Sequence, residues 1–331
     1  MKSVTILTPC FNEEENVEEV YRRVREQFVT LGRYRYEHIF IDNYSSDRTV
    51  AILKGIAARD PNVKIIANAR NYGHIRSPMH AFLQARGDAV IGIVADLQDP
   101  PELIPEMLAK WDAGFPMVLC IKRSTEERGI MPWARRKYYS WVEKLSSIQT
   151  YQNFTGFGLY DRIVVEAVRS FDDPYPYFRG MIAEIGLPHA EILYDQPLRK
   201  HGVTKNNFYA LYDIAMLGIT NLSKVPLRFV TLLGFGCSAL SLLVGLAYLV
   251  YKLLFWNRFN AGAAPLVIGL FFLGSVQLLS MGILGEYIGS IQTQVRKRPY
   301  VIERERVNFE FPPAEPKPPA EPMEERSNVV A

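Results

Sequence analysis

The sequence predicts an α/β domain built on a mostly parallel sheet, followed by a hairpin of two membrane-spanning helices. Two observations carry that prediction. Over about the first 200 residues, short β-branched apolar runs alternate with helical patterns every ~25–30 residues, the rhythm of βαβ units with right-handed crossovers. Further along, two long stretches carry no charge at all.

The strand candidates are Val4 to Thr8, His38 to Ile41, Val63 to Ala67, Ala89 to Val94 and Met117 to Ile121. Helix-like patterns lie between them, over Glu14 to Phe28, Asp47 to Ala58 and Ile75 to Arg86. A sheet of this kind binds ligands beyond the carboxyl ends of its strands, so that is where chemistry is sought.

The first uncharged run, Phe229 to Tyr251, spans 23 residues, and the second extends from Asn260 to Gly285. As a helix the first would be about 34 Å long, enough to cross a hydrocarbon core of about 30 Å. Soluble helices of such length normally carry a polar face, and these do not. The N-terminus lacks the apolar core of a signal peptide. Lys224 and Arg228 precede the first run and Arg296, Lys297 and Arg298 follow the second, which places both termini in the cytoplasm by the positive-inside rule. The expected organisation is a catalytic domain over 1–205, an interfacial amphipathic helix over 206–226, spans at 227–256 and 260–288, a juxtamembrane segment at 289–311 and a disordered tail at 312–331. Six prolines between Pro312 and Pro322 bar that tail from helix or sheet.

Composition narrows the class. The 331 residues include 38 Lys and Arg against 35 Asp and Glu, a net charge of +3 that gives no electrostatic case for nucleic acid as partner. Cys10, Cys120 and Cys237 lie far apart, without the spacing of a zinc or redox motif, and read as thiols in a reducing compartment. No glycine-rich phosphate loop follows any strand, against a dinucleotide enzyme or an ATPase.

Three strand ends carry polar clusters. The first is Pro9-Cys10-Phe11-Asn12-Glu13-Glu14, where Asn12 or Glu13 could cap the next helix or face a bound nucleoside. The second is Asp42-Asn43-Tyr44-Ser45-Ser46-Asp47, in which Asp47 suits an N-cap while Asp42 has no capping duty and could accept hydrogen bonds from a base or ribose. The third is Asp96-Leu97-Gln98-Asp99-Pro100-Pro101. Asp99 before two prolines reads as a helix start, whereas Asp96 and Gln98 offer hard oxygen ligands for Mg²⁺ or Mn²⁺ carrying a diphosphate.

PCFNEEENV, DNYSSDRT, RNYGH and ADLQDPPE, in this order and at these intervals, resemble the nucleotide-sugar-binding fold of glycosyltransferase family 2, and within it the polyisoprenyl-phosphate glycosyltransferases. Arg199 to Lys205 is similar to that group's R-x-x-G-x-S/T-K element, and Gly282 to Gly289 to its two-span bacterial branch. The resemblance implies a GT-A-like domain in which Pro9, Asn12, Glu14 and Asp42 line the nucleoside pocket. It also implies that Asp96 and Gln98 hold the divalent metal and that Arg123 and Arg199 face the phosphates. Two departures stand out. Val94 replaces the first acid of the Asp-x-Asp pair found in many relatives, and the stretch around Phe157 lacks the acidic residue often present there.

An acceptor phosphate monoester is largely dianionic at pH 7 and can attack without a general base, provided cations position it. Arg135, Arg136, Arg199 and Lys205 are the candidates. The expected activity is inverting transfer of a hexose, from UDP-glucose foremost, to undecaprenyl phosphate or a similar polyprenyl phosphate at the inner membrane. A GDP-mannose or amino-arabinose donor, or a non-catalytic membrane scaffold with a degenerate fold, stays open at this point. Small residues in the spans, such as Gly234, Gly236, Gly269 and Gly274, allow close helix packing and suit a homo-oligomer.

Overall fold

The computed structural model describes residues 1–123, 151–197, 225–255, 263–296 and 298–309. The described chain runs β1 (Ser3–Cys10), α1 (Val17–Leu31), β2 (Arg35–Asp42), α2 (Thr49–Ala57), β3 (Val63–Asn68), α3 (Gly73–Gln84), β4 (Ala89–Gly92), a 3₁₀ turn at Pro101–Leu103, α4 (Ile104–Asp112) and β5 (Met117–Lys122). It continues with β6 (Phe154–Asp161), α5 (Arg162–Ser170), α6 (Phe178–Ile185), β7 (His189–Tyr194), α7 (Val225–Leu254), α8 (Ala263–Val295) and β8 (Glu303–Val307).

All eight strands form one sheet in the order β7-β5-β6-β4-β1-β2-β3-β8. The half made of β4, β1, β2 and β3 is parallel, as the βαβ rhythm predicts. It is buried on both faces, and β1 accordingly reads as a nearly continuous apolar run. One face packs on α1, which contributes Val17, Val20, Val24 and Phe28 at helical spacing; the other packs on α3, α5 and α6 through Phe82, Val164, Val165 and Ile182. Helix α1 starts at Val17 instead of Glu14, because the backbone first turns at Glu13, whose carbonyl accepts from the amides of Asn16 and Val17.

Strands β6, β7 and β8 are not among the sequence candidates. Strand β6 inserts antiparallel between β4 and β5. There Gly158 is required by space: a Cβ would run into the carbonyl oxygen of Val118 on β5.

Helices α7 and α8 each contain a stretch long and apolar enough to cross a membrane, Val225–Val244 and Phe272–Val295. Leu232, Phe235, Leu242, Leu266 and Leu278 on them are exposed, an outward apolar surface that soluble helices avoid. The two helices contact each other. The interfacial helix expected over 206–226 lies outside the described residues except for its last two positions, which open α7; the tail from 312 lies outside them entirely.

The segment expected as a juxtamembrane stretch returns to the domain. After α8, Val301 is buried, β8 pairs antiparallel with β3, and the Asn308 side-chain amide donates to the carbonyls of Ala57 and Val63. Arg76 donates to the Pro299 carbonyl and the Tyr300 hydroxyl to that of Asp173. Lys54 pairs with Glu305 at the surface, where such a bridge is worth about 1 kcal/mol or less, so the ladder and the buried Val301 do most of the fastening. The sheet is thus completed by chain from beyond the hairpin, outside the 1–205 boundary.

Candidate active site

The parallel register sets Cys10 beside Asp42, so the loops after β1 and β2 emerge side by side. They are laced together. Asn12 Oδ1 accepts from the Ser46 amide and the Asn12 amide donates to Ser45 Oγ; the amides of Glu13 and Glu14 donate to Thr49 Oγ1 and to Asp47. The Glu14 carboxylate accepts from the Arg48 amide and from its Nε at 3.0 Å. Asn12 and Glu14, expected to line a nucleoside pocket, tie the loops after β1 and β2 to each other. Neither Asn12 nor Glu13 caps α1. Pro9 lies beyond the β1–β4 ladder, which ends at Leu7 and Gly92.

Asp42 is fully buried. Its Oδ2 accepts from the amides of Tyr44 and Ser45, while Oδ1 has no partner among the described residues. A buried, unpaired carboxylate oxygen is costly, and a ligand N–H or O–H would relieve the cost. Next to it, Asn43 joins three elements: its amide donates to Asn71 Oδ1 and the Gly73 carbonyl, and its Oδ1 accepts from Asn68 and from the Tyr72 amide. This asparagine network holds the RNYGH segment against the end of β2, and only the motif spacing hinted at it.

Beyond β4, Asp96 Oδ1 accepts from the Gln98 amide across Leu97, which adopts φ +61°. That turn brings Asp96 and Gln98 together. Asn12 (φ +55°) and Tyr44 (φ +72°) share the left-handed conformation, so each of the three strand ends carries a non-glycine residue in a sparsely populated backbone region. Such strain gathers at functional sites.

Asp99 does not start the following helix as its sequence context suggested. Its carboxylate turns inward, accepting from the Val94 amide and, at 3.4 Å, from the Tyr194 hydroxyl. Burial, reinforced by neighbouring Asp96 and opposed by the Val94 hydrogen bond, pushes its pKa up to about 7. Asp96 and Asp99 thus lie close together, with Gln98 on the same turn through its backbone amide and half-exposed Val94 bonded by its own amide to Asp99. Among the described residues no three His, Cys, Asp or Glu side chains form a ready metal cage. The donor set fits Mg²⁺ or Mn²⁺ nonetheless, because such ions commonly take one or two protein oxygens and complete their shell with phosphate and water.

Arg123 follows β5 at the same end of the sheet, where its amide donates to the Tyr194 carbonyl and its guanidinium pairs loosely with Asp195 on the surface. Phe157 is buried against Tyr194, ring to ring at 5.4 Å, in place of any acid. Cys10 and Cys120 are buried and their thiols pushed up by desolvation, which removes them as nucleophiles. Arg135, Arg136, Arg199 and Lys205 lie outside the described residues.

The nucleoside-type loops, the oxygen pair beyond β4 and the parallel half-sheet define a GT-A-like transferase domain. Its sequence matches the glycosyl transferase family 2 profile over residues 5–172, and the chain belongs to that family. Residues 226–291 match the GtrB C-terminal hairpin. Among curated relatives, the SfII prophage-derived bactoprenol glucosyl transferase of Shigella flexneri is 36% identical over 308 residues, covering 91% of this chain and 97% of its own. An uncharacterized glycosyltransferase of Synechocystis, sll0501, is 33% identical over 313 residues, covering 94% and 98%. A solved glucosyl-3-phosphoglycerate synthase from Mycobacterium tuberculosis, in complex with Mn²⁺, uridine diphosphate and phosphoglyceric acid, superposes with a TM-score of 0.44 at 17% identity, covering 66% of this chain and 76% of that one. That superposition is too loose to transfer any contact.

Proposed function

We propose that this protein transfers a glucosyl group from UDP-glucose to a polyprenyl phosphate, undecaprenyl phosphate foremost, with inversion at the anomeric carbon and at the cytoplasmic face of the membrane. The observation that carries the reading is β8. The strand that follows the apolar hairpin is hydrogen-bonded into the same sheet whose carboxyl end holds Asp42 and Asp96. A transferase with one substrate in water and the other in a bilayer needs that coupling, since it holds the donor site next to the surface where the lipid phosphate lies. The extent of the similarity to a bactoprenol glucosyl transferase supports the choice of sugar and acceptor.

In this reading Asp42 Oδ1 receives a donor N–H of the nucleoside, and Asn12, Glu14 and Pro9 keep that pocket in shape. Asp96 and Gln98, with Asp99 close by, hold the divalent ion. When bound, that ion supplies positive charge to the departing diphosphate. Arg123 is able to leave its exposed Asp195 partner for a phosphate oxygen at little cost, because a pair this open to solvent is weak. The acceptor phosphate, dianionic at neutral pH, attacks without surrendering a proton, consistent with Phe157 standing where an acid would otherwise be. Arg135, Arg136, Arg199 and Lys205 are proposed to position it.

The strand after the hairpin joins the sheet of the catalytic domain, and that domain is proposed to sit at the cytoplasmic side of the bilayer. A homo-oligomer through the hairpin's small residues is proposed as well. The test is a donor screen: purified protein with undecaprenyl phosphate in mixed micelles and UDP-glucose, UDP-galactose, UDP-N-acetylglucosamine or GDP-mannose. Glucose alone should appear on the lipid in quantity. Labelling by GDP-mannose in its place would replace the donor, and labelling by none would sink the enzyme reading.

A further inference from the structure

We infer that Arg304, delivered by the strand after the membrane hairpin, reads the nucleobase of the donor. The inference rests on the nucleotide reading of the site and deepens it. In the sheet order β4-β1-β2-β3-β8 the metal-type turn lies beyond β4 and Asp42 beyond β2, so a nucleoside diphosphate laid across the strand ends points its phosphates toward β4 and its base toward β3 and β8. Because β8 is antiparallel to β3, its beginning, from Glu303, lies at that same carboxyl end, beside Asn68. Arg304 is exposed there, with its guanidinium carbon 5.9 Å from the centre of the Tyr44 ring. No carboxylate among the described residues pairs with it, although its neighbours on β8 are all engaged: Glu303 with His80 and Arg306, Glu305 with Lys54.

Tyr44 belongs to the loop that wraps Asp42. Its amide donates to Asp42 Oδ2, its backbone is held at φ +72°, and its ring is half-exposed beneath Arg304. The two side chains therefore form one wall at the base end, with a flat aromatic face and a fork of donors. Asp42, whose Oδ1 has no partner among the described residues, brings an acceptor to the loop that Tyr44 belongs to. An acceptor and a donor together match a base whose ring N–H adjoins a carbonyl, which means uracil or guanine. Cytosine and adenine present a ring lone pair to the carboxylate and an amino group to the guanidinium, and both contacts are then repulsive or empty. The strand that fastens the membrane hairpin thereby also contributes to donor choice.

Calorimetric binding of UDP, GDP, CDP and ADP to the full chain in detergent, each without lipid acceptor, tests this. The parent should bind UDP or GDP well and CDP and ADP weakly. Arg304→Ala should weaken the preferred nucleotide about 10-fold and leave the poor ones where they were, with Arg304→Lys recovering part of the loss. Glu305→Ala, which loosens the strand's surface tie but keeps Arg304, should stay within about 2-fold of the parent. Unchanged binding in Arg304→Ala, an equal loss for all four nucleotides, or an equal loss in Glu305→Ala would overturn the inference while leaving the transferase reading intact. Failure of the parent to bind any of the four would instead undo the nucleotide reading on which it rests.

Discussion

The two halves of the candidate site are built on opposite plans. Beyond β1 and β2, Asn12, Ser45, Ser46, Asp47 and Thr49 spend their polar atoms on tying the two loops together, and the result is a frame around one oxygen of Asp42 that has no partner among the described residues. Beyond β4, a single short turn carries Asp96 and Gln98, and buried Asp99 nearby is held, among the described residues, by an amide and a long tyrosine contact. The first half is finished before any ligand arrives. The second crowds two carboxylates into a small space, and in the proposed function a cation completes it. The contrast separates two roles that look alike in a sequence: polar residues that build a loop and polar residues kept for the ligand.

Substitutions should divide along that line. Asp96→Asn is expected to cost about 10³-fold in transfer, since the ion it is proposed to hold would offset charge on the leaving group, while metal-free UDP binding stays near the parent value. Parallel kinetics and calorimetry check this, and an equal loss in both would place Asp96 in the nucleotide frame. Asp42→Asn should raise the donor KM by about 10- to 100-fold and change kcat far less, because a charged hydrogen bond made in the ground state is lost.

Val94→Asp restores a carboxylate beside the under-liganded turn and should lower the Mn²⁺ concentration giving half-maximal activity by about 10-fold. A weaker Mn²⁺ dependence would show instead that the extra charge only adds repulsion. The smallest effect concerns the scaffold beneath the nucleotide frame. His38 on β2 is buried, bonded to Thr8 on β1, and desolvation holds its pKa down at about 3, so it folds neutral. The unfolded chain takes up that proton below about pH 6.5 and the folded chain does not, so stability is lost as pH falls toward 3. The loss should reach about 1 kcal/mol by pH 5.5, read from melting temperature against pH, and His38→Gln should flatten the slope.

Much of this was legible before the structure. The five strands of the βαβ rhythm, the polar strand ends with Asp42 and Asp96, and the two apolar runs are all local patterns, and local patterns survive in a sequence. What was hidden depends on distant partners. Strand β8 reads Glu-Arg-Glu-Arg-Val, too charged to suggest a strand, and is one because His80, Lys54 and Arg306 answer its acids and β3 offers a free edge. Strand β6 contains two glycines that weaken any strand signal, and Gly158 is needed only because β5 passes so near. Asp99 carries the local marks of a helix start, yet the tertiary contact with Tyr194 and the Val94 amide turns it inward. Tyr44 and Leu97 give no hint of left-handed backbone, since neither residue type is suited to it.

The central claim, transfer of glucose to a membrane-bound phosphate through a divalent-ion site at Asp96, meets its most direct test in one assay. Radiolabelled UDP-glucose is incubated with undecaprenyl phosphate and the full chain, with Mn²⁺ or with EDTA, beside the Asp96→Asn variant. Labelled lipid is expected with Mn²⁺, and only traces in the other two reactions. Labelling that persists in EDTA and in Asp96→Asn would contradict it.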